Sequence, residues 1–366
     1  MPALSRNLQS TVFFLYRTHP KSGEIDGPCG TGVIVGLPNG AIDPARFVAV
    51  RHAYAVTCHH NLAVGASIIR INTSDGKSRD IEFEPHEWQF IRGADDLCAV
   101  DITDRQAATD DIMCIPRNLC AVRDFIKLND VGVGEDGFML GLFEPVVSQR
   151  RNIIAGRFGN VALLAQDDHP IEQGHGRLRP SHIFDMHSRP GFSGSPVFIY
   201  RTPSTDLRDI HMQRLKLMFG APETLSEPDW AKNMQDAQNT FLMLLGIHSA
   251  QYNDIVEAKK VATASNRVRG NIPLEIPGSM TVVVPAWEAL RLIEENSTFI
   301  AQRQAREVED AKRMDRRPIP ERAPTKRGAP DAETAAAKPE ENPAHREDFN
   351  RLVSAASKSK PKGGRT

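Results

Sequence analysis

Between Thr11 and Ile102 the chain runs through short apolar stretches rich in β-branched and aromatic residues, each closed by Gly, Pro, Asn or Asp. Thr11–Arg17, Cys29–Gly36, Phe47–Val50, Tyr54–Thr57, Ser67–Asn72, Ile81–Glu84 and Asp95–Ile102 read as strands. Asp75-Gly76 marks a hairpin turn between two of them. No stretch here has the spacing of an amphipathic helix, so the punctuation predicts an all-β barrel or sandwich. Thr103–Phe125 mixes polar and apolar residues and reads as a crossing to a second half of the same texture. That half holds Gly137–Phe143, Asn152–Gly159, Val161–Ala165, Ser181–Met186, Val197–Tyr200, Thr240–Ile247 and Ser279–Val284.

Two segments break the rhythm. Residues 201–239 are polar, with Pro203, Pro222 and Pro228, and read as a surface insertion with a short helix near Leu207–Met218. Pro285 opens a helix, where a proline at the first position fits. Trp287, Leu290 and Ile293 share a face of it, at helical spacing. The chain divides into 1–110, 111–284, a helix over 285–300 and a charged low-complexity tail over 301–366. The tail is read as helical to about Arg316 and disordered beyond, because its few apolar residues sit among charges and prolines.

With 366 residues, 40% of them hydrophobic, the chain has ample material for a core. The formal charge of -1 hides an uneven split, since residues 301–366 carry 16 Lys/Arg against 11 Asp/Glu. Neither part is charged enough to argue for a nucleic-acid partner. No apolar run reaches membrane-spanning length, and the N-terminus lacks the apolar core of a secretion signal. Five cysteines, Cys29, Cys58, Cys98, Cys114 and Cys120, are odd in number and scattered. They read as free thiols in a reducing cytoplasm, without metal-ligand spacing.

The stretch from Arg189 to Val197 carries the chemistry. A serine between glycines sits on a tight turn where the backbone can approach a substrate. Its hydroxyl becomes a nucleophile only when a base removes the proton, and the attacked carbonyl needs donors for its oxyanion. The amides of Gly191 and Ser193 lie at the right interval to be those donors. Gly/Ser/Pro clusters are also ordinary turns, so the reading depends on a base and an acid upstream. Val56-Thr57-Cys58-His59-His60-Asn61-Leu62 supplies histidines at a strand end, and Asp95-Asp96-Leu97-Cys98-Ala99-Val100 supplies acids at a strand start. Each motif alone also reads as surface-exposed loop chemistry.

Together these residues resemble trypsin-like (chymotrypsin-fold) serine peptidases, in the bacterial branch with Ser-Gly-Ser-Pro. The match runs over roughly residues 10–298 and includes Gly30-Thr31-Gly32-Val33, Gly246-Ile247-His248-Ser249 and the terminal Val-Val-Pro before the helix. The resemblance implies an all-β fold of two packed six-stranded antiparallel barrels, 1–110 and 111–284, with a C-terminal helix. It implies Ser193 as nucleophile and His60 as general base. Asp96 orients His60, with Asp95 as rival, and the Gly191 and Ser193 amides form the oxyanion hole. Ser249 would bind substrate backbone. No cofactor or metal is called for.

The departures matter as well. Phe192 stands where zymogen-activated members carry an Asp, so activation by a freed N-terminal amine is not expected. His187 stands where Lys/Arg-specific members carry an acid. His248, with His187 or Ser188, resembles the arrangement of bacterial glutamyl endopeptidases and implies binding of an acidic side chain.

The sequence thus reads as a cytoplasmic serine endopeptidase acting on protein or peptide, with neither nucleic-acid nor membrane partner. The alternatives are a catalytically silent module of the same fold, and a protease effector subunit of a larger cytoplasmic system, regulated through the tail or the 201–239 insertion.

Overall fold

Val12–Thr18 (β1) has five consecutive buried residues, and alternation explains how both its faces are apolar. Phe13 and Leu15 point into one core while Val12, Phe14 and Tyr16 point into another, as the two-residue period of a strand requires. β1 lies between Ile25–Asp43 (β2) and Ala66–Asn72 (β4), antiparallel to both. The computed structural model describes residues 4–19, 21–43, 48–142, 150–202, 241–259 and 271–315. The tail beyond 315 and nearly all of the 201–239 insertion, with its expected short helix, lie outside the described residues.

The first half is one sheet. Val48–Thr57 (β3), Ser78–Glu82 (β5) and Cys98–Asp101 (β6) complete the order β5-β4-β1-β2-β3-β6, and Ile115–Pro116 (β7) pairs in parallel with β2. Phe47–Val50 and Tyr54–Thr57 are expected as two strands; from Val48 on they join into β3, because His52 lies in the ladder opposite Leu37. The end strands β5 and β6 do not pair with each other among the described residues, so the closed first-half barrel expected from the sequence is not seen. β5 and β6 lie at opposite ends of the strand order.

The second half closes fully. Asp136–Leu142 (β8), Ile154–Leu163 (β9), His182–Asp185 (β12), Pro196–Arg201 (β13), Phe241–Lys259 (β14) and Asn271–Pro285 (β15) form a barrel in the order β12-β15-β14-β13-β8-β9. Pairing of β9 with β12 seals the ring. A separate two-stranded hairpin, Ile171–Glu172 (β10) and Leu178–Arg179 (β11), projects between β9 and β12. The sequence reading had not marked it.

One core cluster spans the seam between the halves. Val33, Val35 and Tyr54 from the first half meet Phe138, Leu140, Leu142 and Ile247 from the second. The helix Ala286–Glu295 lays Leu290, Leu292 and Ile293 into the same cluster, and Pro285 is its N-cap. Each such side chain contributes about 1.5–3 kcal/mol by leaving water. A second helix, Ser297–Asp315, follows directly. It docks on the first half through Phe299 against Tyr54 and through Arg306 to Asp101 at 2.7 Å. Arg303 caps the preceding helix, donating to the carbonyls of Ile293 and Glu294 that the helix end leaves open. Among the described residues the α-helices, in chain order, are α1 (Arg6–Gln9), α2 (His59–Ala63), α3 (Arg123–Leu128), α4 (Ala286–Glu295) and α5 (Ser297–Asp315).

Candidate functional site

β3 ends at Thr57, and Cys58, extended and buried, is the N-cap of the one-turn helix α2. The turn puts His60 opposite the loop before β6. There the His60 amide donates to Asp96 Oδ1 at 3.0 Å, and ring Nδ1 lies 2.6 Å from Oδ2. Facing an ionised carboxylate, Nδ1 carries the proton. The Ser249 hydroxyl also donates to Oδ2, at 2.7 Å. The carboxylate is fully buried and so receives three donors. Burial by itself raises the Asp96 carboxyl, but the hydrogen bonds from His60 and Ser249 and the attraction to His60 outweigh it, leaving the group below the usual carboxylate range. Asp95 turns elsewhere, to Gln173, Arg179 and Arg291. His59 packs against Phe90, with ring centroids 4.4 Å apart and the rings tilted by 47°.

The turn carrying Ser193 is held from both halves. Thr31 of β2 donates from Oγ1 to the Gly191 carbonyl at 2.7 Å, and its amide donates to the Ser193 carbonyl at 2.9 Å. Asn61, the neighbour of His60, donates to the same Ser193 carbonyl at 3.1 Å. Gly194 donates to the His248 carbonyl at 2.9 Å. A side chain on Gly194 would meet the Thr31 carbonyl oxygen at 1.9 Å, and its φ of +89 is one that glycine adopts freely. Phe192 is buried in the second-half core beside Met139, Phe184 and Val197, so an apolar plug anchors the turn from below.

Ser193 therefore reaches the His60 helix through its backbone. Its hydroxyl makes no hydrogen bond among the described residues, and none joins it to the His60 ring. Nor do the amides of Gly191 and Ser193 have an acceptor among those residues. A cavity of about 680 Å³ opens beside Ser193, and His187, Ser188, His248 and Ser249 all line it. Arg157 and Arg189 line it too, a feature the sequence reading passed over, although Arg189 opens the motif. Among the described residues, both nitrogens of the buried His248 ring lack hydrogen-bond partners. Burial, with His60 nearby, pushes this imidazole down to about 4, so it is neutral at neutral pH.

Cys58, His60 and Asp96 offer ligand atoms within 4.8 Å of one another. Burial raises the Cys58 thiol well above its ordinary value, and its Sγ donates to the His248 carbonyl. All five cysteines are free. No helix among the described residues is long and apolar enough to cross a membrane.

No protein-family model matches the chain, and no curated protein matches it. Among solved structures it is similar to Rv3671c of M. tuberculosis. A serine-to-alanine mutant in its inactive form has a TM-score of 0.35 and 13% identity, over 81% of this chain and 93% of that one. The active form of the Rv3671c protease has a TM-score of 0.34 and 13% identity, over 80% and 86%. At these scores the likeness decides neither fold nor chemistry.

Proposed function

We propose that the chain is a trypsin-like serine endopeptidase whose two halves each supply part of a His60–Asp96–Ser193 triad. The observation that carries the proposal is the buried Asp96 carboxylate, saturated by His60 and Ser249 at the edge of a cavity that Ser193 lines. In this reading Asp96 holds the His60 ring with Nδ1 protonated, leaving Nε2 as a base. Nε2 takes the Ser193 proton as Oγ bonds to the scissile carbonyl carbon. The oxygen becomes an oxyanion, held by the Gly191 and Ser193 amides. Collapse returns the proton to the leaving amine, and water repeats the cycle on the acyl-enzyme.

Arg157 and Arg189 give the cavity its charge, which supports acidic side chains as the preferred residue before the scissile bond. Ser188 would offer a hydroxyl, whereas both ring nitrogens of His248 are buried.

Labelling with a fluorescent organophosphonate tests the chemistry. The intact chain should label and the Ser193→Ala chain should not; equal labelling of both would refute the nucleophile. A silent module of the same fold is the second reading, and the unbonded Ser193 hydroxyl favours it. Against it, hydrogen bonds of this kind often tighten only when substrate binds. A folded wild-type chain that never labels would decide for the module. The effector-subunit proposal places a regulator on the tail or the 201–239 insertion.

A further inference from the structure

We infer that the β10–β11 hairpin is a clamp that positions the Asp96–His60 pair, with Gln173 and Gly174 as its contact residues. The inference rests on the proposed reading of that pair as the base and its orienting carboxylate.

Gln173 sits at the end of a surface hairpin, where a side-chain amide is ordinarily solvated, yet it is buried. Its Oε1 accepts the Asp96 backbone N–H at 2.7 Å. Its Nε2 donates to Asp95 Oδ1 and to the Ser181 hydroxyl, both at 3.0 Å. Acceptor and both donors are therefore engaged, and one of them fixes the backbone of the residue that orients His60.

Gly174 completes the contact. Its N–H donates to the Ser249 hydroxyl at 2.9 Å. A hydroxyl has one proton, and this donor on its oxygen leaves that proton for Asp96 Oδ2. A Cβ built on Gly174 would lie 2.7 Å from the Ser249 carbonyl oxygen, 2.8 Å from His60 Nδ1 and 2.9 Å from Asp96 Oδ2. No side chain fits there, so bare backbone covers the Nδ1–Oδ2 hydrogen bond and keeps water from that side of it.

The turn itself is rigid. Gln173 N–H donates to the Arg177 carbonyl and Gly176 N–H to the Gln173 carbonyl, with Gly176 at a φ of +78. His175 Nε2 reaches the Ala94 carbonyl at 3.1 Å and Arg179 reaches Asp95 at 3.3 Å. A hairpin of the second half thus grips residues 94–96 of the first at several points.

Proton NMR on the full chain tests the clamp independently of turnover. The His60 Nδ1 proton should give a low-field signal, assigned by its loss in His60→Gln. Gly174→Ala and Gln173→Met should broaden it or move it upfield, while Glu172→Ala, exposed on the same hairpin, leaves it unchanged. In the peptidase assay the two clamp variants should lose kcat by about tenfold or more with little change in KM. The inference is overturned if either variant folds and keeps the wild-type signal, or if the wild-type chain shows no such signal. If one variant fails to fold, the other decides. Failure of both also overturns it, since the hairpin would then be a stability element. If the wild-type chain shows the signal but cleaves nothing, and both variants lose the signal, the proposed function falls and the clamp stands.

Discussion

Thr31 Oγ1 donates to the carbonyl of Gly191 across 2.7 Å, so a strand of the first half holds the turn of the second. The same oxygen accepts the Leu142 amide at 3.0 Å. One buried hydroxyl thereby satisfies a carbonyl and an amide on two elements of the barrel, close to the proposed oxyanion donors.

Thr31→Val keeps the shape and removes both bonds. Stranding buried polar groups costs about 1–3 kcal/mol. The 191–192 peptide lies between the two proposed oxyanion donors, and its release should lower kcat/KM by about 10- to 100-fold, less than the loss of a donor itself. Urea denaturation and steady-state kinetics on the same preparation check the two effects.

Gly194→Ala should be worse for the fold. The added methyl meets the Thr31 carbonyl oxygen at 1.9 Å and the Thr57 hydroxyl at 2.3 Å, both in buried surroundings. The backbone there also has positive φ, so relaxation is not open to alanine. We expect a lower melting temperature by several degrees, as for a loss of about 1–3 kcal/mol or more, measured by calorimetry. An unchanged melting temperature would show that the turn is looser than the structure has it.

Acid should unfold the protein through its buried histidines. Burial pushes His248 down to about 4 and His182 to about 3. The unfolded chain takes up these protons near pH 6.5 and the folded chain does not. Stability therefore falls as pH drops from about 6.5 toward 4, with a slope approaching about two protons from this pair. The depressed Asp96 carboxyl acts elsewhere: its contribution is present above the ordinary carboxylate value and is lost only as pH falls through its lower folded value. Denaturation curves from pH 7 to 4.5 measure the slope, and His182→Gln should reduce it by about one proton.

Much of the site was legible because neighbours in sequence are forced to be neighbours in space. The Gly-rich run around Ser193 admits few backbone paths, and one turn of helix after Thr57 leaves His60 facing the loop before β6. Asp95 and Asp96 were harder to separate: both are buried, adjacent residues point opposite ways, and only the packing shows that Asp96 is the one that meets His60. The Gln173 hairpin was not legible. Its strands have two residues each, too short for any periodicity, and its contact with Asp96 spans 77 positions of chain. The first-half sheet shows the same limit, since a strand pattern fixes which residues are extended but not whether the edge strands meet.

Arg157 and Arg189 lead to a prediction about substrate. Peptides with Glu before the scissile bond should be cleaved faster than those with Leu or Arg. Arg189→Glu should cut the Glu-over-Arg preference by about 10- to 100-fold, the scale of one charge-assisted hydrogen bond. Competition of the three peptides in one mixture reads the ratio, and faster Arg cleavage by the wild-type chain would sink the acidic assignment.

The central claim is that a carboxylate–imidazole pair of one half activates a hydroxyl of the other. Mass spectrometry of the organophosphonate-treated chain tests it most directly. The account predicts a single adduct on Ser193, absent in Ser193→Ala and formed at least about 100-fold more slowly in His60→Ala. An adduct that persists in Ser193→Ala, or a folded wild-type chain that takes up none, contradicts it.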